Sequence, residues 1–298
     1  MNNIKNNFSI KDLENLSGIK AHTIRIWEKR YNVLQPMRTD TNIRLYSLSS
    51  LQKLLNITLL HDYGYKISKI STFSEQQIPE MVRGIISTKN AKNHAINALK
   101  MAMMNFDQEL FNNTYSWLSE QKSFNEIFRQ VFIPLMEEIG LLWQTDTITP
   151  AHEHFISCLI IRKLQINIEK IESNKPTNLD YVYVLSLPMN EIHELGLLYL
   201  HYEIVAKGYK VVYLGESMPI DNLKELKKHF NSIIYISYWT VQPEINIINE
   251  YIASMSAELL GDQTQIWLIG RMVEFIDRNI LSSDVKIFDT ALDLIENI

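Results

Sequence analysis

The 298-residue chain has 46% hydrophobic side chains and a single cysteine, Cys158. That is apolar mass for two or three cores, with too few thiols for an internal disulfide or a thiolate metal centre. It has no run of about eighteen apolar residues, and its start, Met1-Asn2-Asn3-Ile4-Lys5-Asn6-Asn7, lacks the apolar core of a secretory signal, so a cytoplasmic globular protein is expected.

The net charge of −5 conceals an asymmetry. Residues 1–78 hold 11 Lys and Arg against 6 Asp and Glu, which leaves 18 against 28 for the remainder. A basic end on an acidic body fits a phosphate-meeting module joined to a sensor.

Residues 8–17 read as a helix, with Ser9 as N-cap, Asp12 three residues on, Ile10, Leu13 and Leu16 on one face, and Gly18 as the stop. After the turn Gly18-Ile19-Lys20, residues 21–31 read as a second helix, which makes a helix-turn-helix. Residues 34–38 and 43–46 flank the polar turn Thr39-Asp40-Thr41-Asn42 as a hairpin, and Ser49 with Gln52 caps a further helix through about His61. A polar stretch over 71–80 separates this module from residues 81–172, where apolar residues recur at three- and four-residue spacing and four helices are expected.

Residues 174–178 form a second linker. Beyond it, β-rich runs at 181–187, 210–214, 233–237, 266–269 and 285–288 alternate with helical stretches, as in a doubly wound parallel sheet. The expected fold class is multidomain α+β. A winged helix-turn-helix covers 1–78, a four-helix bundle 79–175, and a flavodoxin-like, Rossmann-like α/β domain 176–298.

In a helix-turn-helix the second helix enters the major groove while flanking elements grip phosphate. Arg25, Lys29 and Arg30 are therefore placed to meet DNA, with His22 and Thr23 at base edges. The hairpin adds Arg38, Arg44 and Tyr46 from a wing. Taken singly, each charge is more often an ordinary solvated residue, and Trp27, Tyr31 and Tyr46 have a strong alternative reading as core aromatics, which is adopted for Trp27 and Tyr31. Their order is more specific. Thr-Ile-Arg-x-Trp-Glu-x-Arg-Tyr at 23–31, Pro-x-Arg-Thr at 36–39 and Asn-x-Arg-x-Tyr-Ser at 42–47 resemble the N-terminal module of MerR-family regulators across residues 8–78. That resemblance implies a double-stranded DNA operator as partner.

The loop after the first strand of the expected sheet reads Pro188-Met189-Asn190-Glu191-Ile192-His193-Glu194-Leu195-Gly196. It sits at the carboxyl end of a strand, where open α/β sheets bind ligands. His193 can ligate a metal, and Glu191 can accept the imidazole's other N–H, fixing tautomer and basicity. An arbitrary His beside a Glu is more often a surface or capping pair.

Glu-x-His-x-x-Gly here resembles the cobalamin-binding fold, in which the histidine replaces dimethylbenzimidazole as the lower cobalt ligand. The resemblance implies that His193 is the cobalt ligand. Trp143, followed after nine residues by Glu153-His154, is similar to the cap of CarH/LitR-type photoreceptor repressors, where the bundle covers the cobalamin's upper face. A flat indole can cover an apolar ligand face while Glu153 and His154 supply polar contacts. The alternative is a tryptophan packed in a helical core.

Three departures concern the ligand chemistry. Ser237-Tyr238-Trp239-Thr240 stands where such domains carry a Ser-x-Leu stretch, and puts two bulky rings near the nucleotide-tail pocket. Gly270-Arg271 replaces paired glycines, so Arg271 either blocks the tail or binds its phosphate. Gln144 replaces the histidine that light-sensing members place directly after the cap tryptophan.

The resemblance implies a non-enzymatic transcription regulator, a repressor whose operator binding and oligomerisation respond to adenosylcobalamin or methylcobalamin. Trp143, Glu153, His154, Glu191, His193, Gly196, Ser237 and Gly270 would line the cofactor. A homodimer or homotetramer is expected, RNA polymerase or a protein antirepressor is a further candidate partner, and no membrane is involved. The departures keep open a regulator whose cobalamin domain has lost its ligand and serves in oligomerisation, partner binding or sensing of another ligand. A cobalamin-dependent methyltransferase or mutase ranks lower, since no segment remains for a substrate barrel.

Overall fold

Local capping decides where the first helices start and stop. The computed structural model describes residues 7–85, 91–145 and 147–298, and the chain divides into two compact units, Met1–Ile160 and Ile161–Ile298. Helix α1 (Ile10–Ser17) begins on Ser9, whose hydroxyl accepts from the Asp12 N–H while the Asp12 carboxylate accepts from the Ser9 N–H. Gly18 ends it at φ 75°, and Asn32 ends α2 (Ala21–Tyr31) in the same left-handed region. Leu13, Leu16, Ile24 and Trp27 are buried in the core of the pair.

The wing differs from the expected hairpin. Strands β1 (Asn7–Phe8), β2 (Met37–Arg38) and β3 (Arg44–Ser47) form an antiparallel sheet in the order β1-β3-β2. Phe8, expected in the first helix, pairs with Tyr46 instead and is fully buried. The strand expected over 34–38 shrinks to two residues, because Val33 and Leu34 are drawn into the core and Pro36 has no N–H for a ladder. Helix α3 (Leu48–Asp62) starts on Ser47, whose hydroxyl accepts from the Ser50 N–H, and not on Ser49.

The expected polar spacer is partly helical. Short α4 (Ile67–Ile70) is followed by α5 (Gln77–Ile85), opened by reciprocal bonds between Ser74 and Gln77, and α5 packs against α3 through buried Ile78 and Val82.

Four bundle helices follow as expected, the third in pieces. They are α6 (Ala91–Asn105), α7 (Gln108–Ser119), the run α8 (Phe124–Ile127) to α9 (Ile133–Gln144) joined by a π-helical turn at Phe128–Phe132, and α10 (Pro150–Glu172). Pro134 follows that turn and cannot donate to the preceding ladder, which accounts for the local widening. Phe111 and Tyr115 stack on Phe132 in the bundle core, and Phe128 meets it edge-on.

Inside the first unit a buried cation ties the N-terminal module to the bundle. The Lys100 side chain, 8% exposed, donates to the Leu16 carbonyl at 3.1 Å and to Glu138 on α9 at 2.6 Å. Asn15 also donates to the Thr147 hydroxyl at 2.9 Å.

The second unit is a five-stranded, wholly parallel sheet. Its elements are β4 (Asn178–Ser186), α11 (Leu195–Ala206), β5 (Tyr209–Gly215), α12 (Ile220–Lys224), β6 (Ile233–Tyr238), α13 (Ile248–Leu259), β7 (Thr264–Ile269), β8 (Val285–Phe288) and α14 (Ala291–Glu296). The strand order β5-β4-β6-β7-β8 is that of a doubly wound sheet with its switch point at β4.

Alternation along β6 feeds both faces. Ile233, Tyr235 and, past its end, Trp239 join the core with α13, whereas Ile234, Ile236 and Tyr238 pack with Leu197 and Leu200 of α11. Among the described residues no helix is long and apolar enough to cross a membrane.

Replacing Lys100 by Ala removes a charged donor from the Leu16 carbonyl and from Glu138. The expected cost is about 1–3 kcal/mol in urea unfolding; an unchanged midpoint would show that the contact carries no stability.

Candidate functional site

The switch point at β4 places the loop over residues 187–194 beside the loop that leaves β6. Glu191 joins them. Its carboxylate is fully buried. One oxygen accepts from the N–H groups of Ile192 (2.9 Å) and His193 (3.0 Å) and from the His193 ring Nδ1 (2.6 Å). The other accepts from the N–H groups of Thr240 (3.2 Å), Val241 (2.7 Å) and Gln242 (3.0 Å).

Burial alone pushes this carboxyl up. Hydrogen bonds from Val241, His193 and Gln242 outweigh it, so the group sits below the usual carboxylate range and is ionised at neutral pH. An ionised carboxylate only accepts, so Nδ1 carries the proton and the lone pair of the neutral ring lies on Nε2. The His193 side chain is 50% exposed, on a loop surface where Met189, Ile192 and Val241 are also exposed. Sequence reasoning placed Glu191 and His193 here but missed the five backbone donors and the exposed apolar residues beside them. Isoleucine and valine in polar loops were the available signal.

The other residues expected around the cofactor are brought together differently. Gly196, in the first turn of α11, faces the Tyr238 ring so closely that a Cβ would lie 2.6 Å from it. Ser237 is buried, and its hydroxyl accepts from the Trp239 indole N–H at 3.0 Å. Gly270, at φ 113°, backs onto the Trp239 peptide, where a Cβ would lie 2.4 Å from the carbonyl oxygen. Trp239 itself is fully buried and Arg271 is exposed, so the tryptophan and not the arginine fills the space between β6 and β7.

In the first unit Trp143 is 56% exposed on the last turn of α9, which overturns a core-packed reading. Glu153, at the start of α10, accepts from the Ser157 hydroxyl and bonds the exposed His154 ring at 2.6 Å. The Gln144 side chain lies outside the described residues.

On the helix-turn-helix, His22, Arg25, Lys29, Arg30 and Arg38 are exposed and Thr23 is half-buried. Arg30 lies over the half-buried Tyr31 ring, and Arg38 bonds Asn42 at the wing tip. Tyr46 is corrected. It is fully buried, and its hydroxyl donates to Glu28 at 2.9 Å, so it braces the wing and cannot reach DNA. Arg44, half-buried, also donates to Glu28, at 3.1 Å.

Residues 8–77 match the MerR HTH family of regulatory proteins, and residues 95–166 match the B12 binding domain. The chain joins a MerR-type DNA-binding module to a B12-binding module. It is similar to the HTH-type transcriptional repressor CarH of Myxococcus xanthus, 28% identical over 218 residues that cover 70% of each chain. It is also similar to the repressor CarA of the same organism, 24% identical over 221 residues, 70% of this chain and 68% of that one. Its structure resembles the Methanosarcina barkeri monomethylamine corrinoid protein with a TM-score of 0.57 at 14% identity, covering 69% of this chain and 97% of the other. That likeness shows the shared fold.

Replacing Glu191 by Ala leaves the buried N–H groups of two loops without their acceptor, and unfolding is expected to cost about 2–4 kcal/mol less. His193→Ala at its half-exposed position is expected to change stability by less than about 0.5 kcal/mol. Equal effects in thermal or urea melts would contradict the assignment of the structural role to the carboxylate rather than to the imidazole.

Proposed function

We propose that this protein is a DNA-binding transcriptional repressor whose operator binding and self-association respond to a corrinoid, adenosylcobalamin or methylcobalamin, held through His193. Residues 1–78 read DNA, 79–175 form a cap bearing Trp143, Glu153 and His154, and 176–298 carry the cobalt ligand. The observation that carries the reading is the half-exposed imidazole whose Nδ1 is committed to a fully buried carboxylate, the arrangement that leaves Nε2 as a well-aimed, basic metal ligand.

When bound, a corrinoid would supply a cobalt centre able to take a nitrogen ligand from the protein, and His193 would hold it. The residues present fit the metal end of such a group. His193 offers the donor, Glu191 holds its tautomer and direction, and the exposed Met189, Ile192 and Val241 suit a flat apolar face. The nucleotide end fits less well, because Tyr238 and Trp239 take the space beside Gly196 and Gly270.

At the DNA end, Arg25, Lys29 and Arg30 project from α2 toward the major groove, with His22 and Thr23 at its first turn. Arg38 reaches out from the wing, and Arg44, held by Glu28, sets the wing's angle. One such module reads a half-site, so the repressor acts as a homodimer or homotetramer. A corrinoid changes operator affinity only if it prefers one assembly over another. The similar proteins CarH and CarA are named transcriptional repressors, which supports a regulator over an enzyme.

A second reading is favoured by the buried Trp239 and by the Tyr238 ring on Gly196. In it the domain takes no cobalamin and serves in oligomerisation or in sensing another ligand.

Two measurements separate the readings. Equilibrium dialysis in the dark against adenosylated corrinoids with and without the nucleotide arm is expected to concentrate corrin absorbance with the wild type and not with His193→Ala; no excess of either with the wild type puts the second reading first. On a random-sequence duplex, Arg25→Ala is expected to weaken binding and to lower the slope of log K against log salt by about 0.9, whereas His193→Ala leaves both unchanged. An unaffected Arg25→Ala protein would sink the docking arrangement.

A further inference from the structure

The lower face of a cobalamin carries a base tethered to the corrin ring by a nucleotide arm. If a protein imidazole takes the lower cobalt position, the base leaves but the arm stays on that face. It must then enter the domain that supplies the imidazole. Beside His193 two routes lead inward, one between α11 and the sheet, the other between the ends of β6 and β7.

The first route is closed by Tyr238. As an alternate residue of β6 it falls on the α11 face, half-buried against the core that holds Leu197 and Leu200, and its ring lies where a side chain at residue 196 would otherwise stand. The bare face that Gly196 offers is thus covered from within. Desolvation also pushes the Tyr238 phenol up, in keeping with a ring packed against its neighbours.

The second route is closed by Trp239. It is pinned by its indole N–H to Ser237, by its backbone N–H to the Ile269 carbonyl at 2.7 Å, and by its carbonyl to the Met272 N–H at 2.9 Å. Gly270 accepts that peptide at a distance no other residue allows. Exposed Met189, Ile192 and Val241 on the loops beside His193 suit the flat underside of a ring.

We infer that this site selects corrinoids that lack the nucleotide arm, of the cobinamide class, with Tyr238 as the specificity-determining residue. The inference rests on the corrinoid reading of His193. Admitting an arm requires displacing the half-buried Tyr238 ring from the face of Gly196, which weakens cobalamin about tenfold to a hundredfold relative to its arm-free counterpart.

The test compares adenosylcobalamin with adenosylcobinamide, which share an upper group and differ in the arm. Dissociation constants are measured by equilibrium dialysis in the dark on the full chain. The wild type is expected to bind adenosylcobinamide at least about tenfold more tightly. Tyr238→Ala should raise cobalamin affinity and leave cobinamide affinity in place, and Tyr238→Phe, which keeps the ring, should keep the preference and guards against a folding defect in the smaller variant. Equal wild-type affinities that both depend on His193, or a preference unchanged in Tyr238→Ala, overturn this inference and leave the corrinoid reading standing. Uptake of neither compound by the wild type overturns both.

Discussion

A single buried carboxylate fixes the geometry of the two loops at the switch point of the parallel sheet. Glu191 accepts five backbone N–H groups and one imidazole N–H, three donors on each oxygen. An amide has one acceptor oxygen and could not replace it. A charge in this position would be costly without partners, and here every side of it faces a donor. Two loops from neighbouring strands are consequently bound to one anion, so a pull on the His193 ring is felt at Thr240, Val241 and Gln242. On the proposed corrinoid reading, that linkage joins a ligand held at His193 to the β6 loop and to the packing of Tyr238 and Trp239 behind it.

The DNA-binding module uses the same device on a smaller scale. Glu28, on the helix expected to enter the groove, holds Arg44 and Tyr46 of the wing. The angle between recognition helix and wing is thereby set by one side chain, and the exposed Arg25, Lys29, Arg30 and Arg38 inherit that geometry. Lys100 extends the chain of polar ties from the end of α1 to α9, the helix that carries Trp143 at its far end. Strain at the bundle can therefore reach the module through a charged contact as well as through apolar packing.

Much of this was legible in the sequence because it is local. The Ser9–Asp12 capping box, Gly18 as a helix stop, the β/α alternation after residue 178 and the Glu191–His193 pair all lie within a few residues of each other. What escaped is non-local. The pairing of β1 with β3 rests on two residues, too few to show a period. The Ser47 cap was hidden because the strand runs straight into the helix. Tyr46 reads equally well as a wing surface or as a core ring, and only its contact with Glu28 decides. The sequence raised concern about Tyr238, Trp239 and Arg271 together. The fold separates them, sending Tyr238 to the α11 face, Trp239 to the opposite core and Arg271 to the surface.

The claim at the centre of the account is that the imidazole of His193 reaches cobalt, and electron paramagnetic resonance of the cobalt(II) state reads that bond directly. The protein would be produced with [15N]histidine and loaded with reduced cobinamide, which brings no nitrogen base of its own. The account predicts that each high-field cobalt line is split into a doublet by one 15N nucleus, into a triplet with unlabelled protein, and into neither with His193→Ala. Lines without nitrogen splitting in the wild type, or splitting that survives the His193→Ala substitution, would contradict it.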